Sequence, residues 1–142
     1  MASSFPAAKL PSGAQMPHMG LGTWKSQPGE VAAAVEHALK VGYRHLDCAW
    51  GYRNEPEVGL GIKAAIDKGY CKREDIFIVS KLWNTCHEPD MVEPLCKETL
   101  TNLGIDYLDL YLMHWPQAYE MSDLKDLEPK GADGKVKVWH SL

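Results

Sequence analysis

Ile76-Phe-Ile-Val-Ser-Lys81 is the stretch that decides the fold. Ile76 to Val79 is apolar and rich in β-branched residues, as a buried strand requires. The run then stops on two polar residues. Asp47 lies 34 residues before Lys81, and His114 lies 33 residues after it. Asp47 closes the strand-like run Tyr43–Asp47, and His114 follows the strand-like run Tyr107–Met113. Each interval holds one helix. In the first, Asn54 is a natural N-cap, and Glu55 and Glu57 suit the positive end of the dipole. Val58, Ile62 and Ile66 recur every fourth residue, and Gly69 closes the helix. Gly59 and Gly61 are poor helix formers inside it. In the second, Pro89–Leu103 turns Val92, Leu95, Leu100 and Leu103 inward, with Pro94 in the first turn or at a kink. Strand, helix, strand at this spacing predicts right-handed βαβ units and a parallel sheet.

Outward from this centre, Pro28–Val41 predicts another helix. Pro28 suits its first turn, Val31, Ala34, Val35, Ala38 and Leu39 share a face, and Gly42 ends it. Met19–Thr23 predicts a short first strand. Phe5–Pro17 contains Ser12-Gly13 and predicts a hairpin. The total is four parallel strands, three helices and an N-terminal hairpin. The segments do not repeat in sequence, which argues against a solenoid. A small doubly wound domain would need helices on both sheet faces, and three helices cover four strands poorly that way.

The composition agrees with a folded chain. The 142 residues are 45% hydrophobic and 24% charged, with formal net charge −4. Disorder is excluded by the apolar content, and an acidic balance argues against nucleic acid as a partner. No apolar run approaches the ~18 residues of a membrane span. Met1-Ala-Ser-Ser-Phe-Pro has neither a basic nor an apolar leader region, so no signal peptide is expected. Cys48, Cys71, Cys86 and Cys96 form no C-x-x-C pair. Reduced thiols in a cytoplasmic protein and no metal site are expected.

Ligands of parallel α/β folds sit at the carboxyl ends of the strands. The strands here end at Thr23-Trp24, at Asp47 with Tyr52 beyond it, at Lys81 with Trp83 beyond it, and at His114-Trp115. Singly, each polar residue reads as a cap or a solvated charge. Together they predict an aromatic pocket with convergent polar groups. The chemistry that fits is proton donation to a carbonyl. A phenol is a weak acid, and an adjacent ammonium eases loss of its proton. Tyr52 is the candidate general acid, Lys81 its tuner, Asp47 the holder of Lys81, and His114 the group that orients the carbonyl. Such a set lacks a reductant, so a hydride cofactor is implied.

At these residues the chain resembles the aldo-keto reductases, in their aldehyde reductase and aldose reductase branch. The resemblance rests on Met19-Gly-Leu-Gly-Thr-Trp-Lys25, on Gly42-Tyr-Arg-His-Leu-Asp-Cys-Ala49 with Tyr52 and Asn54-Glu55, on Ile78-Val-Ser-Lys-Leu-Trp-Asn-Thr85, and on Leu108-Asp-Leu-Tyr-Leu-Met-His-Trp-Pro116. It implies a (β/α)₈ barrel and NADPH-dependent reduction of aldehydes and ketones to alcohols. It implies Asp47, Tyr52, Lys81 and His114 as the catalytic tetrad. It places Thr23, Trp24 and Asp47 beside the cofactor, and Trp24, Trp83, His114 and Trp115 around the substrate. Trp50 and Gly51 are candidates for shaping the same pocket. Gly20-Leu-Gly22 and Gly59-Leu-Gly61 do not make the Rossmann G-x-G-x-x-G, and the family binds its dinucleotide without it.

Such a barrel takes ~250 residues. Residues 1–142 are therefore expected to be the N-terminal part of one barrel domain, a truncated form with about half the strands. Residues 117–142 read as an active-site loop followed by a divergent tail. A full-length member is expected to be monomeric. This shorter chain is expected to be weakly active or inactive, and to self-associate through open strand edges. The alternative function is a non-catalytic binding or regulatory isoform that pairs through those edges.

Overall fold

The apolar runs set the layers. In the computed structural model of the chain, which describes residues 6–121 and 125–139, the first two strands form the predicted hairpin. β1 (Ala7–Lys9) pairs antiparallel with β2 (Gln15–Pro17). The turn passes through Gly13 at φ +90°, a conformation glycine adopts freely. β3 (Leu21–Gly22), α1 (Val31–Lys40), β4 (His45–Asp47), α2 (Glu55–Asp67), β5 (Phe77–Leu82), α3 (Pro89–Leu103) and β6 (Leu110–Met113) follow. The four later strands make one sheet in the order β3-β4-β5-β6, every pair parallel. This is part of a (β/α)₈ barrel, with three helices on its outer face. Phe5, the leader reading at Met1–Phe5 and the tail residues 140–142 lie outside the described residues.

The pleat sorts side chains between the two faces. Leu46 and Ile78 point to the helices and pack with Val31, Val35, Leu39, Val58, Ile62 and Leu103. Full burial of a side chain such as Leu46 or Ile78 contributes roughly 1.5–3 kcal/mol. Asp47, one residue beyond Leu46, and Lys81, three beyond Ile78, point to the opposite, inner face, where they meet. Parallel register brings this about, because Asp47 lies opposite Val79, two residues before Lys81.

Several expectations needed correction. Pro28 is not in the first turn of α1, which begins at Val31. Ala34 is exposed rather than inward. Tyr43 and Arg44 precede β4, because the Arg44 guanidinium donates to the carbonyls of Leu39, Tyr43 and Tyr70 instead of lying along a strand. Asn54 occupies the N-cap position of α2 without capping it; its Nδ2 donates to the Thr23 carbonyl at 2.8 Å. Glu55 lies in the first turn of α2 as expected, and it is turned inward and is 1% exposed. Pro94 lies inside α3 beyond the first turn, where Pro89 already holds an N-terminal position. Tyr107–Asp109 precedes β6, and the Asp109 carboxylate accepts from Arg73 and from the Ile78 N–H.

The two glycines inside α2 are explained by packing. A Cβ at Gly61 would stand 2.5 Å from the Ala32 carbonyl oxygen of α1, and one at Gly59 would stand 2.5 Å from the Leu103 carbonyl oxygen of α3. The helix-forming penalty is accepted because α2 is clasped on both sides. No helix of the described residues is long and apolar enough to cross a membrane.

Candidate active site

Lys81 organises the carboxyl edge of the sheet. Its ammonium donates to Asp47 Oδ1 at 2.5 Å, to the Cys48 carbonyl at 2.8 Å and to the Tyr52 hydroxyl at 3.2 Å. All three donor positions are thus directed, and the Lys81 side chain is only 13% exposed. Tyr52 reaches the cluster from a short 3₁₀ turn, Trp50–Tyr52, just beyond β4. Arg53 follows at φ +58° and swings the chain into α2.

His114 completes the group from the end of β6. Its ring stands edge-on to Tyr52 at 5.4 Å and to Trp83 at 5.0 Å, and stacks with Trp115 at 6.3 Å. Burial lowers its pKa, the Lys81 ammonium adds to the effect, and Asp47 opposes it. The imidazole is therefore held neutral near pH 7. Its Nδ1 is buried and has no hydrogen-bond partner among the described residues.

Trp24, Gly51, Tyr52, Trp83, His114, Trp115 and Glu128 line a cleft of about 280 Å³. Trp24 stacks with Tyr52 at 6.3 Å. Gly51 has to be glycine here, because a Cβ would stand 2.6 Å from the Trp83 ring. Trp50 is a correction. It is buried away from the cleft, donates to Glu98 at 3.0 Å and lies under Arg53. Thr23 is buried, and its hydroxyl and N–H both donate to the Asp47 carbonyl. The side chain of Asp47 remains 45% exposed at that edge.

The loop after β6 folds back over the cleft. Trp83 Nε1 donates to the Leu127 carbonyl at 2.9 Å, and the Tyr119 N–H donates to the Asn84 carbonyl at 2.8 Å. Tyr119 and Lys130 bridge to Val138 and Val136.

These elements have counterparts in known proteins. The pattern of the Aldo/keto reductase family matches residues 18–139. The chain belongs to the aldo/keto reductase family. Human aldo-keto reductase family 1 member A1 is 55% identical over 128 residues, which are 89% of this chain and 39% of the human protein. The rat protein of the same name is 54% identical over 129 residues, 90% of this chain and 39% of that protein. A solved structure of the aldose reductase from Schistosoma japonicum superimposes with a TM-score of 0.90 at 49% identity. It covers 96% of this chain, which spans 45% of that one. This aldo/keto reductase chain therefore spans less than half the length of the relatives it matches.

Two polar features of the family member escaped the sequence reading. Glu55 accepts from Ser80 Oγ at 2.7 Å and from Asn102 Nδ2 at 3.3 Å, in a buried junction of α2, β5 and α3. Burial raises its pKa against the opposing hydrogen bonds. Ser80, one residue before Lys81, carried the signal: alternation turns it to the helices. Glu128 belongs to a loop without periodicity, and nothing local in sequence placed it at the cleft. Cys48 is buried, and desolvation, then Glu55 and Asp47, push its thiol up to about 12 despite Lys81. It contributes a carbonyl to Lys81, and its thiol stays protonated.

Proposed function

We propose that this chain carries the proton-transfer half of an NADPH-dependent reductase of aldehydes and ketones, working in the cytoplasm. The observation that carries the reading is Lys81, held between Asp47 and Tyr52 at the floor of an aromatic cleft. Four free cysteines fit a reducing compartment.

Tyr52 donates its proton to the carbonyl oxygen of a bound substrate. The Lys81 ammonium stabilises the phenolate left behind, and Asp47 keeps Lys81 charged and aimed. A neutral His114 offers an N–H to the same carbonyl oxygen without adding charge. Trp24, Trp83 and Trp115 hold the substrate and exclude water. When bound, NADPH supplies the hydride. The residues at the strand ends fit a dinucleotide: the partly exposed Asp47 carboxylate offers acceptors to a ribose hydroxyl, and Thr23 and Trp24 flank it.

The test is NADPH oxidation with a simple aromatic aldehyde. Tyr52→Phe is expected to lower the rate ~10²- to 10⁴-fold. Equal rates would overturn the reading. The four strands described are half of an eight-stranded barrel, so the 142-residue polypeptide assayed alone is expected to be slow beside a full-length reductase.

One observation favours a second reading, a non-catalytic chain that pairs through its strand edge. β6 leaves Leu112 and Met113 exposed beside Leu82, Val92 and Tyr111. Light scattering combined with NADPH titration separates the two. A monomer that binds NADPH supports the reductase, and a discrete oligomer without binding supports pairing.

A further inference from the structure

The segment that carries Tyr52 is fastened at both ends to one residue. At its start, the Asp47 carbonyl accepts from the Thr23 N–H at 3.1 Å and from the Thr23 hydroxyl at 3.3 Å. At its end, Asn54 Nδ2 donates to the Thr23 carbonyl at 2.8 Å. Thr23 is buried, so these bonds lie out of reach of water. Between the two fastenings the chain makes the 3₁₀ turn Trp50–Tyr52 and passes through Arg53 at φ +58°, a conformation uncommon for residues with a side chain. Residues 47–54 therefore form a loop that Thr23 closes.

The far side of the closure depends on Asn54. Thr23 follows β3, which is two residues long and pairs with β4 alone among the described residues. The next residue, Trp24, stacks with Tyr52 at 6.3 Å. Asn54 stands at the N-cap position of α2 yet makes no cap hydrogen bond with its side chain. A residue that served only to start the helix would turn its oxygen to the first-turn N–H groups. Here the donor end is engaged, and Oδ1 is buried with no partner among the described residues.

We propose that Asn54 is a positioning residue for proton transfer. By closing the 47–54 loop onto Thr23, it fixes where Tyr52 meets Lys81 and Trp24. The inference rests on the reading of Tyr52 as proton donor to a carbonyl.

Asn54→Asp separates positioning from capping. Aspartate has nearly the same shape, caps a helix as well as asparagine, and its charge suits the helix start. Its carboxylate cannot donate to the Thr23 carbonyl. The measurement is NADPH oxidation with benzaldehyde by the 142-residue chain, in ordinary and in heavy water, beside a melting curve. Asn54→Asp is expected to lower kcat ~10- to 10²-fold, the scale of a small displacement of the reacting groups. KM is expected to change far less, and the melting temperature to hold. The solvent isotope effect on kcat is expected to rise, because transfer of the tyrosine proton slows relative to the other steps. Asn54→Ala, which also removes the donor, is expected to lose kcat to a similar degree. Native kcat and isotope effect in Asn54→Asp would overturn the inference and leave the reductase reading standing. So would a loss of kcat that follows a loss of melting temperature at an unchanged isotope effect, since that reports fewer folded molecules. No turnover by the native chain would overturn both.

Discussion

Ser80 and Lys81 are neighbours on β5 and belong to opposite regions of the molecule. Ser80 faces the helices, is fully buried and donates to Glu55. Lys81 faces the barrel interior and meets Asp47 and Tyr52 below an open cleft. Both regions bury polar groups, and they resolve the cost differently. On the helix side, water is excluded, and burial raises the Glu55 pKa against the hydrogen bonds it accepts. On the inner side, Lys81 and Asp47 pair, and Asp47 keeps contact with solvent. A sealed junction meets the cost of burial with hydrogen bonds, which suits structure. A junction open at one end keeps an ion pair, which suits proton transfer.

The comparison breaks if the two faces respond alike to mutation. Lys81→Met is expected to have the largest effect, cutting carbonyl reduction ~10²- to 10⁴-fold. Its melting temperature should change little, since the Asp47 carboxylate left behind is 45% exposed. Similar turnover in Lys81→Met and the native chain would deny the inner face its role. Glu55→Ala comes next. It leaves Ser80 and Asn102 without their acceptor, at about 1–3 kcal/mol for each buried group, and denaturant midpoints report the loss.

Glu55→Gln sharpens the point, because it keeps an acceptor and cannot ionise. A carboxyl with a raised folded pKa binds more protons in the folded than in the unfolded state. Its stabilising contribution is present below the unfolded pKa and is lost as pH rises through the folded value. Stability of the native chain should therefore fall with rising pH across that window, and Glu55→Gln should flatten the fall. His114 works in the other direction. Its lowered pKa makes its contribution present above the ordinary histidine range and lost on acidification. Denaturant titrations at several pH values measure both.

Gly61→Ala probes the packing around the sealed side. The methyl group would meet the Ala32 carbonyl oxygen, at a cost of about 1–3 kcal/mol. Retained stability would mean that α1 and α2 can separate freely. Ser80→Ala is the smallest change, about 1 kcal/mol, with reduction rates unchanged.

Much of this was legible along the chain. Periodicity located the hairpin, the four strands and the three helices, and α3 has the predicted limits at Pro89 and Leu103. The spacing of about 33 residues by itself brings Asp47, Lys81 and His114 to one sheet edge. Several misreadings fall where a side chain makes a distant partner. Asn54 reads as a cap and serves Thr23; Glu55 reads as a first-turn acid and also serves Ser80; Trp50 reads as pocket lining and serves Glu98. Each partner lies 25 to 48 residues away, beyond any local pattern.

The sequence by itself determined the order and type of the elements, and which chemical groups end each strand. Those depend on short-range periodicity and on the two-residue alternation of a strand. Tertiary structure decided which polar groups are sealed from water, why Gly51, Gly59 and Gly61 have to lack a side chain, and which loop residue lines the cleft with Tyr52. Those depend on close approach and on access to water, and both are properties of the assembled layers rather than of any one segment.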